Sequence, residues 1–408
     1  MMLFLIGCAD VPPEVTAVVE EAEVGTLVVV EWDSAEEVLG TVSAGAANRT
    51  PGVVATHHRH TLWGLPPDAL VTLTVEEAGV AVADVSVRTN AMPGDIPDVT
   101  LELGAWEGFV VIPYVAVDGE RTGALVVDGE GRTVAWSAAS KPHTTSASWD
   151  GTAIWYNVVN VPSELWRVPL DGGAVQVLEV PDAHHEFVLL EESVLPGGGV
   201  AYLRTVEQLV EGENVFGDQL VFRGLDGSER VVWDAFETEI VERHEGWDSL
   251  PGGADWTHAN GIARDDARGT WLISLYWLGT VLEVDEASGQ VVRRLEGATA
   301  IDPFGPQHAP EATEGGLLLF DNQLLDGHSR VVSLDWEGRV LWEWSPEPAV
   351  TTLVLGDIDR LPDGRTLTAW GTDRAVIGLD SAGEEAFRVR MEERFVVGQP
   401  ESRASLYE

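Results

Sequence analysis

The stretch TVLEVDEASGQVVRRLEG at residues 280–297 decides the fold. It contains a strand-like run, a turn with a glycine and a second strand-like run, which is the pattern of a β-hairpin. Five further stretches repeat this pattern: GALVVDGEGRTVAWSA (123–138), SELWRVPLDGGAVQVLEV (163–180), DQLVFRGLDGSERVVWDAF (218–236), SRVVSLDWEGRVLWEWSP (329–346) and AVIGLDSAGEEAFRVRM (375–391). The chain is therefore expected to be all-β and built from repeats.

The turn glycines give the period of the repeat. They are Gly131, Gly172, Gly227, Gly289, Gly338 and Gly383. Their spacing is roughly 40 to 60 residues, which is the length of a propeller blade of four antiparallel strands. We predict a six-bladed β-propeller over residues 98–395, in which each hairpin is the outer half of a blade, followed by a C-terminal tail at 396–408.

A different pattern precedes the repeats. Short alternating strands such as TLVVVEW (26–32) fill residues 12–92, and NAMPGDIPD (90–98) is typical of a linker. The stretch HTLWGLPPDALVTLTV (60–75) resembles a strand crossing of fibronectin type III modules, which predicts a small fibronectin III/Ig-like β-sandwich over 12–92. The histidines of HHRH (57–60) are expected on an exposed strand or loop of this domain.

Composition excludes one class of partner. The 408 residues include 68 acidic and 24 basic residues, with a formal net charge of −44 at pH 7. The acids are spread along the chain, which indicates a solvated acidic surface. No nucleic acid partner is expected, because a phosphate backbone requires a basic footprint.

The single cysteine, Cys8, ends the run LIGC. This run resembles a bacterial lipobox, so residues 1–11 are interpreted as a lipoprotein signal and tether, with Cys8 as the site of lipidation. The alternative is an incidental cysteine. The lipobox interpretation predicts a periplasmic or cell-envelope protein that contacts the membrane only through the lipid at Cys8.

Four histidines recur at one place in the repeat. They are His143, His185, His258 and His308, and a fifth copy has Gly356 there. The innermost strand of a propeller blade lines the central channel, so equivalent histidines would meet at its mouth. A single such histidine is more often a buried hydrogen-bonding group than a ligand, but four at one repeat position favour a shared site.

Several of these segments carry a family resemblance. HHEF (184–187), DWTHANGI (255–262), SLYWLGTVLEVD (274–285), FGPQHAPEATEGGLLLFDN (304–322) and GDIDRLPDGRTL (356–367) resemble successive blade motifs of bacterial arylsulfate sulfotransferases. The resemblance implies a small β-sandwich before a six-bladed propeller. It also implies transfer of a sulfuryl group from an aryl sulfate donor to a phenolic acceptor through a sulfohistidine, without a cofactor or metal.

The resemblance assigns roles to individual residues. His308 matches the nucleophile, and His185 and His258 match the sulfate-binding or acid–base histidines. Asn260 would orient the substrate or donate to it. Apart from the resemblance, Trp277 flanks the histidine motifs and is a candidate to stack on an aromatic substrate, the alternative being a tryptophan buried between sheets. His143 matches the repeat but no family position, so a structural role remains its alternative. His184, next to His185, is the less favoured of the pair, and His244 and His328 are expected in solvated loops.

One departure from the family concerns charge. Tyr276 stands where the family places an arginine on the sulfate, and a phenol brings neither charge nor a bidentate fork. Lys141 or Arg360 could supply the missing charge. Two alternatives remain open: a non-catalytic propeller that binds a ligand or partner, and a metal-dependent hydrolase.

Overall fold

The computed structural model describes residues 13–22, 24–45, 48–141, 143–159, 162–244, 247, 252–297, 304–322 and 328–407. The proposed signal and tether, including Cys8, lie outside these residues. In the described part of the chain, no helix has the length and apolar character needed to cross a membrane.

The N-terminal strands form one antiparallel sheet. They are β1 (Thr16–Ala22), β2 (Gly25–Ser43), β3 (Val53–Leu62), β4 (Leu70–Glu77) and β5 (Val80–Arg88). The 19-residue strand β2 pairs with β1 and β3, and its residues 40–43 pair with β4. The sheet covers a core that includes Trp32, Leu62 and Leu73.

The prediction that the histidines of HHRH (57–60) are exposed is corrected by the structure. They lie on β3, where alternate side chains face opposite sides of the sheet. His58 and His60 are 1% and 5% exposed and stack on Trp32, with ring centroids 4.4 and 5.2 Å away. Only His57 is exposed, and its Nδ1 lies 2.8 Å from Oδ1 of Asp33. Two of the three histidines are therefore core residues.

The rest of the chain is also almost entirely β. Its first half contains β6 (Val99–Gly104), β7 (Phe109–Ala116), β8 (Thr122–Asp128), β9 (Thr133–Ala139), β10 (Ala147–Trp149), β11 (Ala153–Val158), β12 (Glu164–Pro169), β13 (Gln176–Glu179), β14 (Ala183–Leu190), β15 (Gly199–Val210), β16 (Glu213–Gly224), β17 (Glu229–Asp234) and the short helix α1 (Ala235–Thr238). Its second half contains β18 (Ala254–Asp255), β19 (Ala259–Asp265), β20 (Thr270–Leu275), β21 (Thr280–Asp285), β22 (Val291–Glu296), β23 (Gln307–Ala312), β24 (Gly316–Asp321), β25 (Arg330–Asp335), β26 (Val340–Trp344), β27 (Asp357–Arg360), β28 (Thr366–Trp370), β29 (Ala375–Leu379), β30 (Glu385–Met391), β31 (Phe395–Val397) and β32 (Glu401–Arg403).

These strands form consecutive antiparallel sheets. Five of the sheets have the orders β10-β11-β12-β13, β14-β15-β16-β17, β19-β20-β21-β22, β23-β24-β25-β26 and β27-β28-β29-β30-β6, and the remaining one joins β31 and β32 to β7, β8 and β9. Each of the six hairpins predicted from the sequence is an antiparallel strand pair; five are the outer half of their sheet, and in the sixth, β29 with β30, strand β6 is added outside β30. All six turn glycines have positive φ, between 71° and 86°. The hairpin prediction is confirmed.

The sheets close into a ring. Neighbouring sheets share apolar cores, as Val126 with Ile154, Trp155 with Val200, Phe222 with Trp271, Val281 with Leu319, and Phe320 with Ile377 illustrate. A further core, with Val127 and Val376, joins the last sheet to the first. A ring of antiparallel sheets closed in this way is a β-propeller.

The C-terminal residues take part in the closure. Strands β31 and β32 pair with β7, so the first sheet contains both an early and a late part of the chain. Part of the segment predicted as a tail, 396–408, is therefore in the ring. Beyond β32, Leu406 and Tyr407 pack against Trp63 of the N-terminal sheet.

Candidate functional site

The innermost strands begin with an unusual backbone. His143, His185, His258, Ala309 and Gly356 have positive φ angles of 64°, 52°, 47°, 46° and 123°. The β14, β19 and β23 ladders shift register at this point. Positive φ is costly for residues other than glycine and concentrates at functional sites. His308 precedes the left-handed residue of its strand and thus corresponds to His184, not to His185.

Five aromatic rings form a continuous row near these bulges. Successive ring centroids are 5.1 Å apart for His184 and His185, 5.0 Å for His185 and His258, and 5.5 Å for both His258 with Tyr276 and Tyr276 with His308. Strands β14, β19 and β23, together with the turn after β20, supply the rings. The structure therefore brings together four of the residues proposed from the sequence, and we call this group the histidine row.

His308 is held in one tautomer. Its Nδ1 lies 2.8 Å from Oδ1 of Asn322, whose Nδ2 donates to the carbonyls of Thr352 and Leu355 at 2.9 Å. Because the amide orientation is fixed by these two bonds, Nδ1 of His308 must be the donor. Its Nε2 then carries the free electron pair.

His308 is also held neutral. Burial lowers its pKa to about 4; the hydrogen bond to Asn322 opposes this shift, and positive charge on His258 adds to it. A neutral imidazole with Nε2 unprotonated is a competent nucleophile near neutral pH.

His258 has the opposite electrostatic setting. Its Nδ1 lies 2.8 Å from Oδ2 of the buried Asp255, which also accepts a hydrogen bond from Nε1 of Trp277 at 2.8 Å. Burial lowers the pKa of His258, but the hydrogen bond and charge of Asp255, together with the charge of Asp218, outweigh it and raise the pKa above its usual value. The carboxylates therefore favour the protonated form of His258.

His185 is linked to a carboxylate through its neighbour. Its Nδ1 lies 2.8 Å from Nδ1 of His184, and Nε2 of His184 lies 2.9 Å from Oδ1 of Asp218. The other oxygen of Asp218 accepts from Thr257 Oγ1 and from the Ala259 backbone, both at 2.6 Å. Burial, followed by the charges of the neighbouring histidines, lowers the pKa of His185 well below its usual value.

Asn260 is fully buried and links two innermost strands. Its Nδ2 donates to the Gln307 carbonyl at 2.7 Å. The amide therefore ties β19 to β23, and its contact with a substrate stays a prediction. This contact helps to hold His258 and His308 on neighbouring strands at a fixed separation.

Three of the other predicted residues lie apart from the row. His143 is exposed, and within the described residues it makes no ring contact or side-chain hydrogen bond with the other histidines. Lys141 forms an ion pair with Glu164, and Arg360 donates to Thr366 at 2.8 Å. In the row, His258 is the ring whose protonated form is favoured, and Lys141 and Arg360 are bonded elsewhere.

Trp277 and His244 flank the row. The Trp277 ring lies 4.9 Å from Tyr276 and 5.9 Å from His258, so it borders the predicted substrate position. His244, expected in a solvated loop, instead stacks on Trp277 at 5.9 Å, and its Nε2 lies 2.7 Å from the carbonyl oxygen of Trp256. The long connection after β17 folds back here, which local sequence does not reveal.

Three residues that contact the imidazoles were not predicted: Asp255, Asn322 and Asp218. Asp255 and Asn322 lie within the motifs DWTHANGI and FGPQHAPEATEGGLLLFDN, so their proximity to a histidine in the sequence could have indicated them. Asp218 lies 34 positions from His184, on a strand two removed from β14 in the same sheet. Within the described residues, no group of three or more His, Cys, Asp or Glu side chains is arranged to hold a metal ion.

Comparisons with known proteins identify no family. No protein-family model and no curated protein sequence matches the chain. Similar solved structures include a protein of unknown function from Bacteroides caccae (11% identity, 72% of this chain and 98% of that chain, TM-score 0.46). Others are a catalytically inactive virginiamycin B lyase from Staphylococcus aureus with quinupristin (10%, 74% and 98%, 0.42) and Pseudomonas aeruginosa periplasmic gluconolactonase (12%, 72% and 98%, 0.43). At this level of similarity, their activities carry no implication for this chain.

Proposed function

We propose that the protein is an arylsulfate sulfotransferase-like enzyme that moves a sulfuryl group from a phenolic sulfate to a phenol through a sulfohistidine at His308. We also infer that its ring sheets are the blades of a six-bladed propeller and that the N-terminal sheet is a fibronectin III/Ig-like sandwich. The activity proposal rests on one observation above all: Asn322 fixes the tautomer of a buried His308, in a row where the neighbouring carboxylate of Asp255 favours the protonated form of His258.

The first half of the reaction uses the free electron pair of His308. Nε2 attacks the sulfur of the aryl sulfate, the bond between sulfur and the aryl oxygen breaks, and the aryl oxide takes the Nε2 proton of His258. Charge develops on the leaving oxygen and is spread over the three sulfuryl oxygens. The His258 imidazolium, held by Asp255, stabilises this charge and acts as the acid.

The second half reverses these roles. The acceptor phenol gives its proton to Nε2 of neutral His258 as its oxygen attacks sulfur, and the S–N bond to His308 breaks. The balance is ArOSO₃⁻ + Ar′OH → ArOH + Ar′OSO₃⁻, with both histidines returned to their starting states. Tyr276, between the two imidazoles, can donate one hydrogen bond to a sulfuryl oxygen.

The charge of the row favours a sulfate ester over a phosphate ester. A sulfate monoester carries one negative charge, whereas a phosphate monoester carries about two near neutral pH. One imidazolium balances the former but not the latter. The replacement of the family arginine by Tyr276 is therefore compatible with a monoanionic donor, bound more weakly than an arginine would bind it.

The test is a transfer assay with p-nitrophenyl sulfate and a phenol acceptor. Phenol-dependent release of p-nitrophenol, lost in His308→Ala, supports the proposal, as does a mass increase of one SO₃ group on the peptide containing His308 when the acceptor is omitted. Glu192→Gln, an exposed acid, is the matched control and should retain wild-type rates. Release that persists in His308→Ala would remove the proposed nucleophile.

Tyr276 gives a specific reason for a second candidate, a non-catalytic propeller that binds a ligand or partner. In that case aryl sulfates would bind at the histidine row without turnover. Calorimetric binding with no p-nitrophenol release over a panel of phenols, in protein shown to be folded, would favour this candidate.

We further propose that the protein resides at the cell envelope, with a lipid on Cys8 as its membrane contact. The run LIGC is the basis for this proposal. Metabolic labelling with a fatty acid, compared between the full chain and Cys8→Ala, tests it. Equal labelling of the two would exclude Cys8 as the lipidation site.

A further inference from the structure

The channel contains a second feature beyond the histidine row. The residues that follow the bulges on the innermost strands line a cavity of about 1000 Å³. Its walls come from β10, β14, β19, β23, β27 and β32. They begin directly after the bulges, at Glu186 and Ala309, so the cavity extends from the histidine row toward the C-terminal ends of the innermost strands. The five rings of the row are not part of its lining.

The cavity is strongly acidic. Eight carboxylate side chains and two arginines line it. Five of the carboxylates come from four different strands: Glu186, Glu311, Asp357, Asp359 and Glu401. We call the space that they line the carboxylate cavity. The two arginines are already paired, Arg264 with Glu286 at 2.9 Å and with Asp266, and Arg403 with Glu401, so in the described ion pairs neither of them contacts Glu186, Glu311, Asp357 or Asp359.

A buried acceptor in the cavity wall lacks a donor. Gln399 is 5% exposed, and its side chain donates to Glu186, which also accepts from the Ile262 backbone at 2.7 Å. The Oε1 atom of Gln399 is buried and has no hydrogen-bond partner among the described residues. A buried carbonyl oxygen left without a donor is costly, so it indicates a missing donor at this wall.

Burial and mutual repulsion oppose ionisation of the carboxylates in the cavity. Burial raises the pKa of Glu186 and of Glu311 to about 8, and Asp359 adds to the shift of Glu311. Burial, followed by the charges of Glu186 and Asp359, raises the pKa of Asp357 well above its usual value. A ligand that brings positive charge into the cavity would relieve this crowding.

The distribution of the acids distinguishes between kinds of cation. No three of the described acidic, histidine or cysteine side chains are close enough together to form a metal site, so one metal ion cannot engage the set. Glu186, Glu311, Asp357 and Asp359 are spread over three strands and do not converge on one point. Several ammonium groups joined by methylene segments match this spread, because each ammonium can pair with a different carboxylate.

We propose that the carboxylate cavity is a binding site for a linear polyamine. The ammonium groups pair with Glu186, Glu311, Asp357 and Asp359, and one N–H satisfies Oε1 of Gln399. This site is independent of the activity proposed for the histidine row, because it uses other side chains.

Calorimetry with spermidine in about 0.15 M salt, where the long-range surface potential is screened, tests the proposal. We expect one spermidine per chain, and about tenfold weaker binding for each of Asp357→Asn and Glu311→Gln, since each removes one charged hydrogen bond. Both substitutions are close in shape to the protonated acids and should leave the thermal unfolding curve in place. Glu314→Gln, an exposed acid just beyond β23, is the matched control and should bind as wild type.

Binding should also release protons. Ammonium groups favour the ionised carboxylates, so the heat of binding at pH 7 should depend on the buffer's ionisation enthalpy, and affinity should rise from pH 6 to about 9. The groups facing the ligand in this range are Glu186, Glu311, Asp357, Asp359 and Glu401, with Arg264 and Arg403 charged throughout. Several weak spermidines per chain, or equal binding by wild type, Asp357→Asn and Glu311→Gln, would overturn the proposal. So would stoichiometric Ca²⁺ binding tighter than spermidine and lost in the same variants.

Discussion

Oδ1 of Asn322 lies 2.8 Å from Nδ1 of His308, and the Asn322 amide is itself anchored to two backbone carbonyls. The two residues come from neighbouring strands of one sheet, His308 from β23 and Asn322 from the end of β24. A neutral amide at this position orients the imidazole without raising its pKa as strongly as a carboxylate would. Asn322 thus selects the tautomer with the proton on Nδ1, while burial keeps the ring neutral above about pH 4.

Replacing this amide by an acid should move the pH profile. In the wild type, His308 has a pKa of about 4, so its neutral form is present above that pH. In Asn322→Asp, a carboxylate would favour imidazolium and raise the pKa by about 1 to 3 units. Activity between pH 4 and 6 should fall while activity near pH 8 is largely kept, as measured by initial rates of p-nitrophenol release.

Removing the amide tests orientation separately from charge. In Asn322→Ala, both ring tautomers become accessible, and kcat should drop roughly 100-fold across the pH range. Asn214→Ala, at an exposed position, serves as the control. An unchanged acidic limb in Asn322→Asp together with normal rates in Asn322→Ala would mean that His308 is not the titrating nucleophile.

The fall of the transfer rate at alkaline pH, the alkaline limb of the pH profile, should reflect deprotonation of His258. Its pKa is raised, so its cationic form persists above the usual range and is lost as the pH rises through that raised value. Asp255→Asn removes the carboxylate charge and should lower the pKa of His258, moving the alkaline limb to lower pH by about 1 to 3 units. Rates of transfer between pH 6 and 9 measure this shift.

Trp277→Phe distinguishes the effect of the Asp255 charge from that of the hydrogen bond that Asp255 accepts from Trp277. The substitution removes the indole donor to Asp255 but leaves the charge next to His258. The alkaline limb should therefore stay within a few tenths of a pH unit of wild type. An alkaline limb that moved equally in Trp277→Phe and Asp255→Asn would point to packing and not to charge.

The hairpin repeat was readable from sequence because each part of it has a local cause. A turn glycine with positive φ, such as Gly289 at 71°, and apolar runs on either side define a hairpin within about twenty residues. The ring follows because unpaired sheet faces must be covered by the next sheet. Pairing of β7 with β31 and β32 could not be read in this way, because the partners are almost 300 positions apart and have no common local signal.

The grouping of the histidines was predicted from the sequence, but the position of His308 within the repeat was assigned wrongly. Repeat spacing placed His185, His258 and His308 together, but the backbone shows that His308 corresponds to His184. A one-residue offset at a bulge turns a side chain toward a different neighbour, and the bulge is set by pairing with the next strand. The approach of His184 to both His185 and Asp218 was not predicted, for the same reason.

The C-terminal residues should stabilise the contact between the N-terminal sheet and the ring. Leu406 is fully buried beside Trp63, and a Cβ added at Gly64 would lie 2.3 Å from its Cδ1. Leu406→Ala should reduce the free energy of unfolding by about 2 to 5 kcal/mol through lost burial and a cavity. Urea unfolding followed by tryptophan fluorescence measures the change.

The matched control is Leu353→Ala, because Leu353 is 59% exposed. Its effect should stay within about 0.5 kcal/mol. Because Leu406 and Trp63 belong to one buried cluster, the loss in the double variant Trp63→Ala and Leu406→Ala should differ from the sum of the single losses. Strict additivity would indicate that Leu406 stabilises the ring alone.

The net charge of −44 should slow the arrival of an anionic donor. Acids spread over the surface repel an aryl sulfate at long range, and salt shortens this repulsion to about 8 Å at physiological ionic strength. Raising sodium chloride from about 0.01 to 0.15 M should therefore increase kcat/KM severalfold while leaving kcat nearly constant, because the buried charges of His258 and Asp255 are screened far less. Sucrose at matched viscosity, which does not screen charge, should not reproduce the increase. A steep fall of kcat/KM with salt would instead mean that attraction to the local positive charge of the row controls capture of the donor.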